Sequence, residues 1–317
     1  MDKPSPALRG VLTELHTPRP WIYWVDLVAS ASVGWLALWV TVRFSILAAP
    51  IGALALLRAT YFIHELAHVQ SSKLPGFSFA WHVLVGIPML VPSLMIGAHS
   101  GHHRTTTYGT AEDPEYLPYA HWPRWRLVLE VLFTAVVPPL LALRWAVIGP
   151  LSWLLPPLRR VTIARFSTLA TNPRFVRSAE VDGAWVLQEV VLALWVWTIA
   201  LTASLRLMLA FLLVTGLALV INQVRTLVAH AYENAGGEPL DVDGQLGDTL
   251  TLGGGLLTEL VAPLGDRFHA AHHRFPAMPY HNLGHAHRLL LADEGLGVRY
   301  RATERRGVLG ALRRLFG

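Results

Sequence analysis

The sequence predicts an all-α integral membrane protein, and three observations carry that prediction. Of its 317 residues, 53% are hydrophobic and only 15% are charged, against about 25% charged in an ordinary soluble domain. The apolar residues gather into runs of the roughly 20 residues that a helix needs to cross a bilayer. The 12 tryptophans sit mostly at the ends of those runs, where an amphipathic ring anchors a helix at the interface. The chain reads as one membrane domain over residues 1–317, with no second soluble domain and no repeat of solenoid period.

The elements follow in order. Residues 1–19 are polar and contain prolines, without a signal-peptide pattern. Residues 24–42 form the first expected span, anchored by Trp21, Tyr23 and Trp24. Residues 45–63 form the second after a short turn at Arg43, so the pair makes a hairpin that runs into His64 and His68. Residues 83–98 are apolar but short, and Pro88 and Pro92 interrupt them, which suits a re-entrant or interfacial segment. Residues 127–155 are divided by Pro138, Pro139, Arg144 and Pro150 into halves too short to span. They must enter and leave by one side, or cross twice. Residues 185–203 and 205–224 make a second hairpin around Ser204. The expectation is two long hairpins, about four spans, with a cap formed by 64–126, 156–182 and 225–317. The cap carries the arginine-rich 156–180 segment and the basic tail from Arg299 to Arg314. By the positive-inside rule it is cytoplasmic, together with both termini.

Composition removes several classes of function. There is no cysteine, which excludes disulfides, thiolate zinc sites and cysteine-ligated clusters. Redox chemistry here would draw its electrons from another protein. The net charge is +5, but the basic residues are scattered and lack a binding motif, so no nucleic acid is expected as partner. An anionic leaflet suits the basic tail better.

Three histidine boxes stand at the edges of the apolar runs: His64-Glu65-Leu66-Ala67-His68, His99-Ser100-Gly101-His102-His103 and His269-Ala270-Ala271-His272-His273. A neutral imidazole offers one good donor nitrogen, and it suits iron, zinc and copper. The H-x-x-x-H spacing stacks two rings on one helix face. The H-x-x-H-H spacing sets an i, i+3 pair on one face and turns the third ring about 100° away, toward a second metal. Eight donors exceed the needs of one ion and suit a dinuclear site. His230, just past the last span, is a ninth candidate. Glu65, Asp113 and Asp266 are candidates to accept an imidazole N–H, and Asn222 and Thr226 are weaker candidates for the same outer support. His16, His82, His121, His281, His285 and His287 are expected to be non-ligands. The first box also satisfies H-E-x-x-H, the pattern of zinc proteases, with Asp241-Val242-Asp243-Gly244 able to supply a further ligand. That reading leaves six box histidines without a role.

The order of the boxes, with apolar hairpins between them, resembles the membrane fatty acid desaturase and hydroxylase superfamily from about Trp24 to Leu291. Glu112-Asp113-Pro114 after the second box is similar to the acidic segment found there in that superfamily. His272-His273-Arg274-Phe275-Pro276 and Pro279-Tyr280-His281-Asn282-Leu283 look like the third-box tail of bacterial acyl-lipid desaturases. The resemblance implies two iron ions in a non-haem diiron centre, held by the eight box histidines with His230 as the ninth ligand. It implies O2 as co-substrate, a long-chain lipid as substrate, and an active site on the cytoplasmic face of a bacterial inner membrane. A separate ferredoxin or cytochrome b5-like donor with its reductase would supply electrons. The reaction it points to is desaturation of an acyl lipid. The alternative on the same centre is a hydroxylase or ketolase acting on a fatty acyl, alkane or carotenoid chain.

Overall fold

A computed structural model describes residues 6–317. Five helices are long and apolar enough to cross a membrane: α1 (Pro20–Arg43), α2 (Ile46–His68), α3 (Arg124–Leu154), α4 (Gly183–Thr202) and α5 (Leu205–Ala229). Two residue pairs form the only strands among the described residues, a parallel ladder of Thr251–Leu252 with Glu304–Arg305. The protein is an all-α integral membrane protein.

α1 and α2 form the first hairpin. At Gly34 a Cβ would lie 2.6 Å from the Leu56 side chain, so a glycine is what lets the two helices close. The turn is set by Ser45, whose side chain accepts from the Leu47 N–H. α4 and α5 form the second hairpin. Asp182 caps α4 by accepting from Trp185 N–H, and Ser204 caps α5 by accepting from Leu207 N–H. α5 packs against both helices of the first hairpin, and Tyr23, Leu27, Leu56, Phe62, Val214 and Ala218 are buried together there.

α3 departs from the sequence reading. The prolines do not divide it: residues 124–154 are one helical run of 31 residues. Pro138 stands in the first turn of the segment Val137–Leu143, and Pro150 in the first turn of Gly149–Leu154. A missing N–H matters little in a first turn. The 3-10 turn at Thr134–Val136 and the π turn at Arg144–Ile148 absorb the change of register. Arg144 is accommodated as well, buried against Glu189 of α4 at 2.8 Å and donating to the Phe166 carbonyl.

The course of α3 keeps the connectivity consistent with two hairpins. It begins at the box end of α5, where Leu127 packs with Leu227 and Tyr108. Beyond it the helix Pro156–Phe166 doubles back, with Arg159 donating to Ser152 and Arg144 to Phe166. By Leu169 and Asn172 the chain is again beside the second box, bonded to Met95 and to the Asp113–Pro114 segment. The chain thus leaves the box end along α3 and is back beside the second box by residue 172. The 83–98 stretch forms no helix of spanning length; its apolar helix is Phe77–Gly86.

The ends of α2 and α5 open into the polar cap. Its own core is built from the helix Tyr280–Ala292, which buries Leu283, Ala286 and Leu290 against Ala270 and Ala271 of the third box and against Leu8 and Leu12. The tail helix Gly307–Phe316 buries Val308 and Ala311 against Leu250, Leu252 and Val228.

Candidate metal centre

Four separate pieces of backbone deliver the nine histidines. His64 and His68 occupy the last turns of α2. The second box forms the short helix His99–His102, and the third forms His269–Arg274. His230 follows α5 in extended conformation and pairs through its backbone with Thr249.

The rings converge into two groups. One holds His64, His68, His99, His103 and His272; the other holds His102, His230, His269 and His273. Within each group one nitrogen per residue lies within 4.8 Å of all the others. This partition corrects the pairing expected from H-x-x-H-H. His99 goes with His103 and His269 with His273, so the i, i+4 members share a site and the i+3 histidine serves the other. At 100° per residue, i and i+4 are about 40° apart around the helix, whereas i and i+3 are about 60° apart.

Hydrogen bonds to carboxylates fix which nitrogen is bare in three of the rings. Nδ1 of His99 donates to Glu115 at 2.7 Å, Nδ1 of His102 to Asp113 at 2.9 Å, and Nδ1 of His269 to Asp266 at 2.9 Å. With the proton on Nδ1, each Nε2 presents a lone pair. Those lone pairs face one another: His99 Nε2 is 2.9 Å from His68 Nε2 and 3.1 Å from His103 Nε2, and His230 Nε2 is 3.1 Å from His102 Nε2 and 2.9 Å from His269 Nε2. His64 Nε2, His103 Nδ1 and both nitrogens of His273 are buried with no protein partner. Buried polar atoms without partners cost about 1–3 kcal/mol each. A cation at the centre of each group would take His64 Nε2 in one and one nitrogen of His273 in the other, so the donor set fits a pair of metals. It contains no carboxylate, which suits iron, zinc or copper.

Electrostatics favour the same form. Burial and the neighbouring imidazoles push His103, His230, His272 and His273 well below the usual 6.5, which keeps them neutral. Burial also lowers His269, in spite of Asp266. Burial disfavours a proton on His102, but Asp113 outweighs it and its pKa is raised. Burial likewise pushes Glu115 up, and His99 beside it prevails, holding it at about 2.

The outer partners are only partly those expected. Asp113 and Asp266 touch histidines as described. Glu65 does not: it accepts from Tyr23 OH at 2.5 Å and Tyr280 N–H at 3.3 Å, tying α1 and α2 to the cap. Successive residues of an α-helix are rotated by about 100°, so Glu65 turns away from the face that carries His64 and His68. Asn222 and Thr226 also miss the histidines. Both accept from Arg225, at 3.0 Å each, and Arg225 in turn donates to Asp266 at 3.1 Å. They stand one bond further out, because the long arginine side chain occupies the space between. Glu115 was missed by the sequence reading, although it stands two residues after Asp113; Tyr108 and Asp248, next to His230, carry no motif.

The protease geometry is not assembled. Besides the displaced Glu65, Asp241 caps the helix Val242–Asp248 through Gly244 N–H at 2.8 Å, and Asp243 pairs with Arg299 at 3.0 Å. His16, His82, His121, His281, His285 and His287 lie outside both groups.

Comparison with known proteins agrees with this arrangement. Residues 33–303 match the family model described as fatty acid desaturase. The chain is 41% identical over 323 residues to a protein named ceramide hydroxylase from Caulobacter vibrioides (strain NA1000 / CB15N), with 96% of this chain and 91% of the relative covered. No solved structure matches it. A match that spans both hairpins and all three boxes places the chain in the fatty acid desaturase family, the membrane enzymes that desaturate or hydroxylate lipids.

Proposed function

We propose that this enzyme is an O2-dependent diiron hydroxylase of a long-chain lipid of the ceramide class. The observation that carries the reading is the pair of adjoining all-imidazole groups, in a chain whose relative over nearly its whole length is a ceramide hydroxylase. Desaturation of an acyl lipid is the second reading, favoured by the family description. Both reactions begin with the loss of hydrogen from an unactivated C–H bond, and a diiron centre when bound supplies the O2 activation this needs.

The protein's part is to hold and to exclude. His64, His68, His99, His103 and His272 would hold one iron, and His102, His230, His269 and His273 the other. Glu115, Asp113 and Asp266 keep the proton on Nδ1 and aim each ring. The apolar helices keep water from the reacting carbon. A cavity of about 530 Å³ between α1, α3, α4 and α5, lined by residues such as Trp35, Leu38, Trp195 and Phe211, lies toward the α4–α5 turn, at the end of the bundle away from the histidines, and gives room there for the remote end of a hydrocarbon tail. Arginines at the box end, including Arg174 and Arg177, support a cytoplasmic site in a bacterial inner membrane, with both termini on that side. A ferredoxin or cytochrome b5-like donor with its reductase would deliver electrons there.

The test is lipid mass spectrometry of an expressing host supplied with labelled O2. Hydroxylation adds one labelled oxygen to the ceramide pool; a loss of two hydrogens without oxygen gain selects the desaturase reading. Metal analysis of the purified protein should give two irons per chain, and zinc without iron would remove the diiron reading.

A further inference from the structure

His230 is the only one of the nine histidines that lies in neither a box nor a helix. The box histidines are held by helical backbone and by a neighbour on the same short element. His230 has extended backbone (φ −127°, ψ 162°) and needs its position fixed by other means.

The segment 248–250 provides the backbone half of that support. Ala231 N–H donates to the Asp248 carbonyl at 2.5 Å, and Leu250 N–H to the Ala229 carbonyl at 2.8 Å, so His230 is clamped on both sides. The side-chain half comes from Tyr108. Its hydroxyl lies 2.7 Å from His230 Nδ1 and donates to Asp248 Oδ2 at 2.9 Å. A phenol has one proton. Since that proton goes to Asp248, the phenol oxygen must accept from His230, which places the imidazole proton on Nδ1. His230 Nε2 is then bare, and it is this nitrogen that faces His102 and His269. Asp248 is itself anchored through Oδ1, which accepts from Glu233 N–H at 3.2 Å. Tyr108 is fully buried, against Tyr116 at 5.3 Å between ring centroids, so the phenol has little freedom to turn away.

We propose that Tyr108, oriented by Asp248, is a positioning residue that locks His230 in its Nδ1–H tautomer and thereby completes the four-histidine metal site. A neutral phenol here does what Glu115, Asp113 and Asp266 do for His99, His102 and His269. The inference rests on the diiron reading.

The experiment uses the purified full chain, with isotopically enriched iron, in three forms: wild type, Tyr108→Phe and Tyr119→Phe. Iron per chain is measured after dialysis against a chelator, and Mössbauer spectra are recorded before it. Loss of an outer hydrogen bond to a metal-bound histidine weakens metal affinity about 10- to 100-fold. Tyr108→Phe should therefore give up one of its two irons under dialysis that wild type withstands, and one of two Mössbauer signals should change while the other keeps its wild-type parameters. Tyr119→Phe removes an equally buried hydroxyl, one that accepts from Gln223 at 3.3 Å and is bonded to no histidine, and should match wild type. The proposal is overturned if Tyr108→Phe keeps both irons with an unchanged spectrum, if it loses both together, or if Tyr119→Phe loses iron in the same way. Wild-type protein without iron would instead overturn the diiron reading itself.

Discussion

The two histidine groups lie side by side, yet the protein treats them differently. In the four-histidine group every ring is buried, and three of the four Nδ1 atoms have a partner: Asp113, Asp266, and Tyr108 backed by Asp248. In the five-histidine group His68 and His103 are partly exposed, and Glu115 is the one carboxylate on a ring nitrogen. One site has fewer ligands with more outer support, and the other has more ligands with less. In the diiron reading, ligand number and outer support are two ways of holding a metal, used in opposite proportion by the two groups. The accessible group is also the one that a solvent-side electron donor would meet first.

Removing a ligand from each group is the strongest way to test that contrast. His102→Ala and His272→Ala should each abolish lipid oxidation, and each should lose iron, measured on the purified protein. The four-ligand site has no spare donor, so His102→Ala should lose its iron completely, while His272→Ala should retain some of its own. Equal losses would remove the distinction. A smaller effect is expected one shell out. Asp113→Asn and Glu115→Gln should each weaken one iron about 10- to 100-fold, read by chelator titration, and the two variants should alter different Mössbauer signals. A shared signal would show that the groups act as one unit. The smallest effect is on the metal-free protein. His103, His230, His272 and His273 have pKa values below the ordinary 6.5, so the unfolded chain takes up protons that the folded chain refuses. Stability should fall as pH drops through 6.5. His102, with its raised pKa, opposes this trend. Replacing Asp113 by Asn should therefore steepen the loss in chemical denaturation, and a flat profile would argue that the groups are open to water without metal.

The positions of the box histidines were legible because ligands spaced on a helix must recur at three or four residues. His230 was legible from its place at the end of a span. The partition of the rings was not, since i+3 and i+4 lie on either side of i, about 60° and 40° away around the helix, and tertiary placement decides which of them shares its site. Outer partners were legible only close to a box, as Asp113 and Asp266 are, and Glu115, two residues past Asp113, was missed. Tyr108 and Asp248 stand 140 residues apart, and nothing local marks either. The spans were read from length and hydropathy. α3 was misjudged because proline was counted as a break without regard to the turns that accommodate it.

The Arg144–Glu189 pair bears on how the chain enters the membrane. A lone arginine at the centre of an inserting helix costs about 2.5–3.5 kcal/mol. Its partner on α4 lies 45 residues later in the chain. While the ribosome is still making that interval, α3 has no counter-charge and has reason to wait at the insertion machinery. Its settlement in the lipid is thus coupled to the arrival of α4, so the order of synthesis becomes part of the order of assembly.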